Sequence, residues 1–170
     1  MHILVTAASK HGATAEIAEA IAASLRGARL TVDLREPNEV ASLDGYDAVV
    51  LGSAVYTGRW LEASRHFTER HHAALLARPT WLFSSGPIGQ PLAPTEEPVD
   101  GLRLLAELGA REHRSFPGRV NTPDLSWVER TITRMVKAPD GDFRDWDAIR
   151  DWGASIAREL ATQPAPAMGR

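Results

Sequence analysis

The chain has 170 residues, and its lack of cysteine excludes disulfides, thiolate catalysis and cysteine-based zinc or iron–sulfur sites. Its 44% hydrophobic and 24% charged residues are typical of an ordinary globular domain, and a net charge of −3 gives no electrostatic reason to expect nucleic acid as a partner. No apolar stretch approaches the roughly 20 residues needed to span a bilayer. Because a strand pattern begins at residue 2, we expect no signal peptide and a cytoplasmic protein.

Strand and helix patterns alternate along the chain. Apolar runs and alternating segments predict strands at 2–7, 30–34, 46–51, 81–83 and 112–118. Apolar residues at helical spacing predict helices at 13–26, 60–77, 99–109, 125–137 and 146–161. Such alternation predicts a doubly wound α/β domain over residues 1–161, followed by a flexible tail at 162–170.

The loop after the first strand has the composition of a phosphate site. Ser9 and Thr14 offer hydroxyl groups, and Gly12 allows the backbone to approach an anion closely just before a helix begins. The alternative is an ordinary strand-to-helix turn in which Thr14 caps the helix.

Two further loops follow buried strands, at 53–60 and 84–90, and both are rich in small or hydroxyl residues. Because parallel strands end at the same edge of a sheet, we expect these loops to meet the 6–14 loop there. A phosphate loop with two ring-binding loops is what a mononucleotide with a flat ring requires. The absence of a GxGxxG motif argues against a dinucleotide site.

The spacing of Ser9, Gly12 and Thr14 resembles the flavodoxin signature, although Ala7 stands where an aromatic residue is usual. The segments 52–60 and 141–146 further resemble a flavodoxin-like branch that contains the bacterial menaquinone-dependent protoporphyrinogen oxidases and actinobacterial flavodoxin domain proteins. This resemblance implies a flavodoxin-like three-layer sandwich, with a five-stranded parallel sheet in the order 2-1-3-4-5 and an extra helical segment after strand 5.

The same resemblance implies FMN as the cofactor. Residues expected around its phosphate are Thr6, Ser9, Lys10, His11, Gly12, Ala13 and Thr14. Residues expected on one side of the isoalloxazine are Ala54, Val55, Tyr56, Thr57 and Gly58. Residues expected on the other side are Ser84, Ser85, Gly86, Pro87, Ile88 and Gly89.

Several aromatic and charged residues have two interpretations. Tyr56 is the first candidate to contact the ring, whereas Trp60 is as well explained by packing at the start of a helix. Lys10 and His11 either compensate phosphate charge or are exposed loop residues. The two histidines at 71–72 are interpreted as part of a solvated helix face rather than as a metal site. The aspartates at 140–147 are interpreted as turn and helix-start residues rather than as a calcium site.

The segment 111–137 is a basic extension that could cover an anionic substrate, touch a membrane surface peripherally or simply pack on the domain edge. It motivates our first hypothesis, an FMN-dependent oxidoreductase that passes electrons from a small molecule, such as protoporphyrinogen IX, to a quinone-type acceptor. The alternative is an electron carrier that serves redox proteins, among them a reductase. The catalytic residues and the oligomeric state are not predicted.

Overall fold

A parallel sheet with helices on both faces organises the computed structural model, which describes residues 1–56, 58–86, 99–120 and 141–162. The strands are β1 (His2–Ala8), β2 (Thr31–Arg35), β3 (Ala48–Tyr56), β4 (Arg59–Trp60), β5 (Thr80–Ser85), β6 (Glu112–Phe116), β7 (Arg119–Val120) and β8 (Gly141–Asp142). The helices are α1 (Ala13–Gly27), α2 (Glu62–Arg70), α3 (His72–Leu76), α4 (Val99–Glu107) and α5 (Trp146–Ala161), with a 3-10 turn at Pro37–Glu39.

The main sheet has the order β2-β1-β3-β5-β6, and all of these neighbours are parallel. This confirms the predicted α/β fold and strand order. The polar β6 lies at the end of that order, where a strand with few apolar residues is tolerated. Two features were not predicted: the short β4 pairs antiparallel with β3, and β7 and β8 form a separate ribbon.

Two predicted boundaries are wrong. The strand predicted at 46–51 begins at Ala48 and continues to Tyr56, so the whole first half of the predicted 53–60 loop is strand. The helix predicted at 60–77 begins only at Glu62, because Trp60 pairs with Val55 in the hairpin, and it is interrupted at His71. The predicted helix at 125–137, the loop at 90–98 and nearly all of the tail lie outside the described residues.

Each face of the sheet has its own apolar core. Because strand side chains alternate, Ile3 and Val5 pack on the face covered by α1 and α5, and Leu4 packs on the other. On the first face, Trp152 of α5 lies edge-on to Phe116, with ring centroids 5.6 Å apart. The two layers hold the carboxyl ends of the strands in a fixed arrangement. Within the described residues no helix is both long and apolar enough to cross a membrane.

The paired histidines do not share the solvated face that we predicted. His72 is exposed, but His71 is buried at the break between α2 and α3, with its ring centroid 4.8 Å from that of Phe67. Burial lowers the pKa of His71, and the charges of Arg70 and Arg78 act in the same direction. The described residues include no cluster of three or more acidic or histidine side chains placed to hold a metal ion.

We predict that this buried imidazole makes stability depend on pH. In the unfolded chain His71 binds a proton near its ordinary pKa of 6.5, whereas in the folded chain it does so only at lower pH. The unfolded state therefore binds more protons in this window, and the free energy of unfolding falls as the pH drops below 6.5. Urea titrations at several pH values between neutral and mildly acidic give the free energy of unfolding at each pH. For His71→Gln, this free energy should depend less steeply on pH than it does for the wild type. The exposed control, His72→Gln, should keep the wild-type dependence on pH. An equal reduction of the pH dependence in both variants would contradict the assignment to His71.

Candidate functional site

Three segments converge at the carboxyl edge of the sheet. Ala8 at the end of β1 is in register with Ser53 of β3, and Ala54 is in register with Ser85 of β5. The carboxyl ends of these three strands are therefore neighbours. Side chains connect the first two directly, because Lys10 Nζ lies 5.0 Å from the centroid of the Tyr56 ring. The ring of His11 is 6.4 Å from the same ring.

The start of α1 is open in the way that an anion site requires. Gly12 occupies the cap position with φ +82°, a left-handed conformation that favours glycine, and it has no side chain with which to cap the helix. Thr14 is buried inside the first turn, after Ala13, so it is not the cap that the alternative interpretation proposed. The first N–H groups of any helix lack acceptors within the helix, and the half-buried Ser9 lies a few residues before them in the chain.

Buried hydroxyl groups near this edge differ in whether the fold already uses them. Ser64 of α2 accepts from the amide of Ala8 at 3.3 Å and donates to the carbonyl of Gly52 at 2.8 Å. It thereby joins the ends of β1 and β3. By contrast, the hydroxyl of Thr6 is fully buried and has no hydrogen-bond partner among the described residues. A buried polar group normally has a partner, so the Thr6 hydroxyl is an exception among the buried hydroxyls of this part of the structure.

Trp60 is part of the core rather than of a helix start. Its ring is 2% exposed, its amide donates to Asp100 Oδ2 at 2.9 Å, and its Nε1 donates to Ser84 Oγ at 2.8 Å. Ser84 Oγ is also 2.8 Å from Nε2 of His113 on β6. The Ser84 hydroxyl is thus engaged inside the protein. This network ties the hairpin, β5, β6 and α4 together beneath the site.

The remaining predicted ring residues occupy distinct positions. Ala54 and Val55 are buried in β3, and Tyr56 is half-buried at its end. Gly58 turns the hairpin with φ +76°. On β5, Ser85 is buried, and Gly86 follows with φ +103°, its amide donating to the carbonyl of Phe116 at 3.2 Å. The described residues do not include Thr57, Pro87, Ile88 and Gly89.

A group of ion pairs beside the start of α1 was missed by sequence reasoning. The guanidinium of Arg144 donates to both carboxylate oxygens of Asp142, at 2.7 and 2.6 Å, and to Glu16 Oε2 at 2.8 Å. Arg119 Nη1 lies 3.3 Å from the other oxygen of Glu16. Hydrogen bonds from Arg144 lower the pKa of the Asp142 carboxyl, and the same contact raises the pKa of Arg144. We call these four side chains the arginine clamp.

The aspartates near the clamp have separate roles. Asp142 forms the ion pair above, which the turn interpretation did not include. Asp145 accepts from the amide of Ala148 at 2.9 Å and caps α5, and Asp147 lies in its first turn. These two agree with the predicted helix start.

Comparison with known proteins gives a consistent result. The model of a family described as "Flavodoxin domain" matches residues 4–147. A flavodoxin from the domain Archaea has a similar structure, with a TM-score of 0.65 at 18% identity over 95% of this chain and 99% of that one. Flavodoxin 1 from Bacillus cereus gives 0.66 at 16% identity, over 94% and 99% of the two chains.

A larger protein contains the same fold as one part. Rubredoxin oxygen:oxidoreductase from Desulfovibrio gigas has a TM-score of 0.69 at 15% identity, over 97% of this chain but 37% of its own. At these identities the structural likeness establishes the fold. No curated protein sequence matches the chain significantly.

The network around Trp60 predicts that the hairpin and β5 are energetically coupled. Trp60→Phe removes the indole donor, and Ser84→Ala removes its acceptor. The double variant should lose less free energy of unfolding than the two single variants lose in sum. We expect an interaction energy of about 1 kcal/mol from chemical denaturation. The matched control combines Trp60→Phe with Ser24→Ala on α1, on the opposite face of the sheet, and should be additive. Additivity of the first pair would contradict the coupling.

Proposed function

Because the chain belongs to the flavodoxin family and is therefore an FMN-binding electron-transfer protein, we propose a position for FMN and a class of redox reactant. The phosphate is placed at the start of α1, beside Ser9, Gly12 and Thr14. The isoalloxazine is placed between Tyr56 of the hairpin and Gly86 at the end of β5.

The chemistry of the donors supports the phosphate position. Gly12 leaves the helix start without a cap, so the amides of the first turn and the helix dipole can favour an anion. Thr6 adds a buried hydroxyl without a partner, and the cation of Lys10 lies at the same loop. Phosphate oxygens are acceptors only, which suits a site built from donors.

The ring position is supported by the two turns at the edge. Tyr56 is the half-buried aromatic residue at the end of β3, and an aromatic face stabilises a flat ring by dispersion and offset stacking. Next to β3, Gly86 has φ +103°, a backbone conformation that favours glycine, and a Cβ added there would lie 3.5 Å from the carbonyl oxygen of Val55. Because Trp60 is buried, we assign it to support of the hairpin rather than to ring contact.

Bound FMN supplies the electron chemistry, and the protein determines which reactant can approach. We propose that the reactant is an anionic small molecule, with a quinone-type acceptor, as in an oxidoreductase that resembles protoporphyrinogen oxidase. The supporting observation is the positive charge around Tyr56: Lys10 lies on its ring, and the exposed Arg59 is its partner across the hairpin. Positive charge at this position favours an anionic reactant.

An electron carrier that serves protein partners, such as a reductase, is the second candidate. It is favoured by the near-complete overlap with flavodoxins, which the chain matches over 99% of their length. A carrier and an oxidoreductase would bind the FMN phosphate in the same way. They differ in whether a protein or a small molecule exchanges electrons with the isoalloxazine.

The phosphate position predicts a ligand-specific effect. Thr14→Val keeps the shape of the side chain but removes the hydroxyl, so FMN affinity should fall by about tenfold, the worth of one hydrogen bond to a charged group. Riboflavin, which has no phosphate, should bind as it does to the wild type. Fluorescence titration of the apoprotein measures both dissociation constants. Thr31→Val on the exposed β2 position is the control, and unchanged FMN affinity in Thr14→Val would contradict the placement.

The two functions predict different turnover. With FMN bound, an oxidoreductase should consume protoporphyrinogen IX under anaerobic conditions with menadione as acceptor, and Arg59→Gln should raise KM more than it lowers kcat. Arg29→Gln, far from the site at the end of α1, is the control. Absence of turnover together with rapid reduction by a flavodoxin reductase would contradict the oxidoreductase and favour the carrier.

A further inference from the structure

A negative charge lies where the proposed site needs a positive field. Glu16 is in the first turn of α1, and a Cβ built on Gly12 would lie 4.0 Å from its Oε1. A carboxylate near a helix start is favourable on its own, because it interacts with the positive end of the dipole. It repels a phosphate group that binds to the same turn. The charge of Glu16 must therefore be compensated if this turn is to bind phosphate well.

Each oxygen of the Glu16 carboxylate has its own guanidinium. Arg144 Nη1 is 2.8 Å from Oε2, and Arg119 Nη1 is 3.3 Å from Oε1. Both arginines also reach the backbone of the loop. Arg144 donates to the carbonyl of Ala13 at 3.2 Å, and Arg119 donates to that of His11 at 3.5 Å. The same two side chains can thus neutralise the charge and hold the loop.

Arg144 differs from a surface arginine in how firmly it is held. Its side chain is 2% exposed, whereas that of Glu16 is 43% exposed. Asp142 accepts hydrogen bonds from the guanidinium through both carboxylate oxygens. The central carbon of the guanidinium, Cζ of Arg144, lies 4.4 Å from the centroid of the Trp146 ring. An ion pair with one buried, fixed partner is screened less by water and salt than an exposed pair.

We propose that the two arginines of the clamp, Arg144 and Arg119, make the start of α1 competent to bind phosphate by neutralising Glu16 and fixing the loop from His11 to Ala13. Arg144 is its positioning residue. The inference rests on the phosphate position proposed above. It also assigns a role to the ribbon of β7 and β8, which carries Arg119 and Asp142. The phosphate site then depends on a part of the chain more than a hundred residues from the loop.

The test compares FMN with riboflavin on the apoprotein of four variants. Arg144→Met should weaken FMN binding by about tenfold, as expected for loss of a charge-assisted contact, while riboflavin affinity stays within about twofold of wild type. Adding Glu16→Gln to Arg144→Met removes the uncompensated charge and should restore FMN affinity to within about threefold of wild type. Arg150→Met removes an exposed ion pair on α5 and should change neither ligand.

Arg119→Met covers the case in which Arg144→Met does not fold, because Arg119 is partly exposed. We expect it to weaken FMN binding by about threefold without affecting riboflavin. Equal losses for both ligands, wild-type FMN affinity in the arginine variants, or no recovery with Glu16→Gln would each overturn the clamp. If Thr14→Val also leaves FMN affinity unchanged, the phosphate position itself is at fault; if only Thr14→Val has an effect, the clamp alone is wrong.

Discussion

The parallel pairing of β1, β3 and β5 is the constraint on which the rest of the site depends. In this arrangement all three strands point the same way, so their carboxyl ends lie side by side. The start of α1, the hairpin after Tyr56 and the turn at Gly86 converge for that reason. Apolar layers on both faces then keep the strands from shifting relative to one another.

Polar contacts from later parts of the chain stabilise these segments in place. The indole of Trp60, the hydroxyl of Ser84 and the imidazole of His113 connect the hairpin to β5 and β6. Arg144 makes a comparable connection on the other side of the site, from the ribbon to α1. Each is a buried or half-buried polar contact, which is costly to leave unmade and therefore holds its elements in one arrangement.

Much of the fold could be predicted from the sequence, for a local reason. The helix at 146–161 has the predicted bounds, and α1 differs by one residue, because their apolar spacing and end signals lie within the segments themselves. The hairpin was missed because β4 has only two residues and carries no periodicity. Trp60 then appeared to begin a helix, although its pairing with Val55 places it in a strand.

Some features of the candidate site were likewise predictable from the sequence, and others were not. By itself the sequence determined that three strands end at one edge and that a glycine is followed by a helix at 13, because each depends on neighbouring residues and on general rules of parallel sheets. The strand order was implied by the family resemblance. Only the tertiary structure decided that the Ser84 hydroxyl is taken by Trp60, that the Thr6 hydroxyl has no partner among the described residues, and that Arg144 reaches Glu16. Those outcomes depend on which polar groups packing brings together across long stretches of chain, and no local pattern encodes that choice.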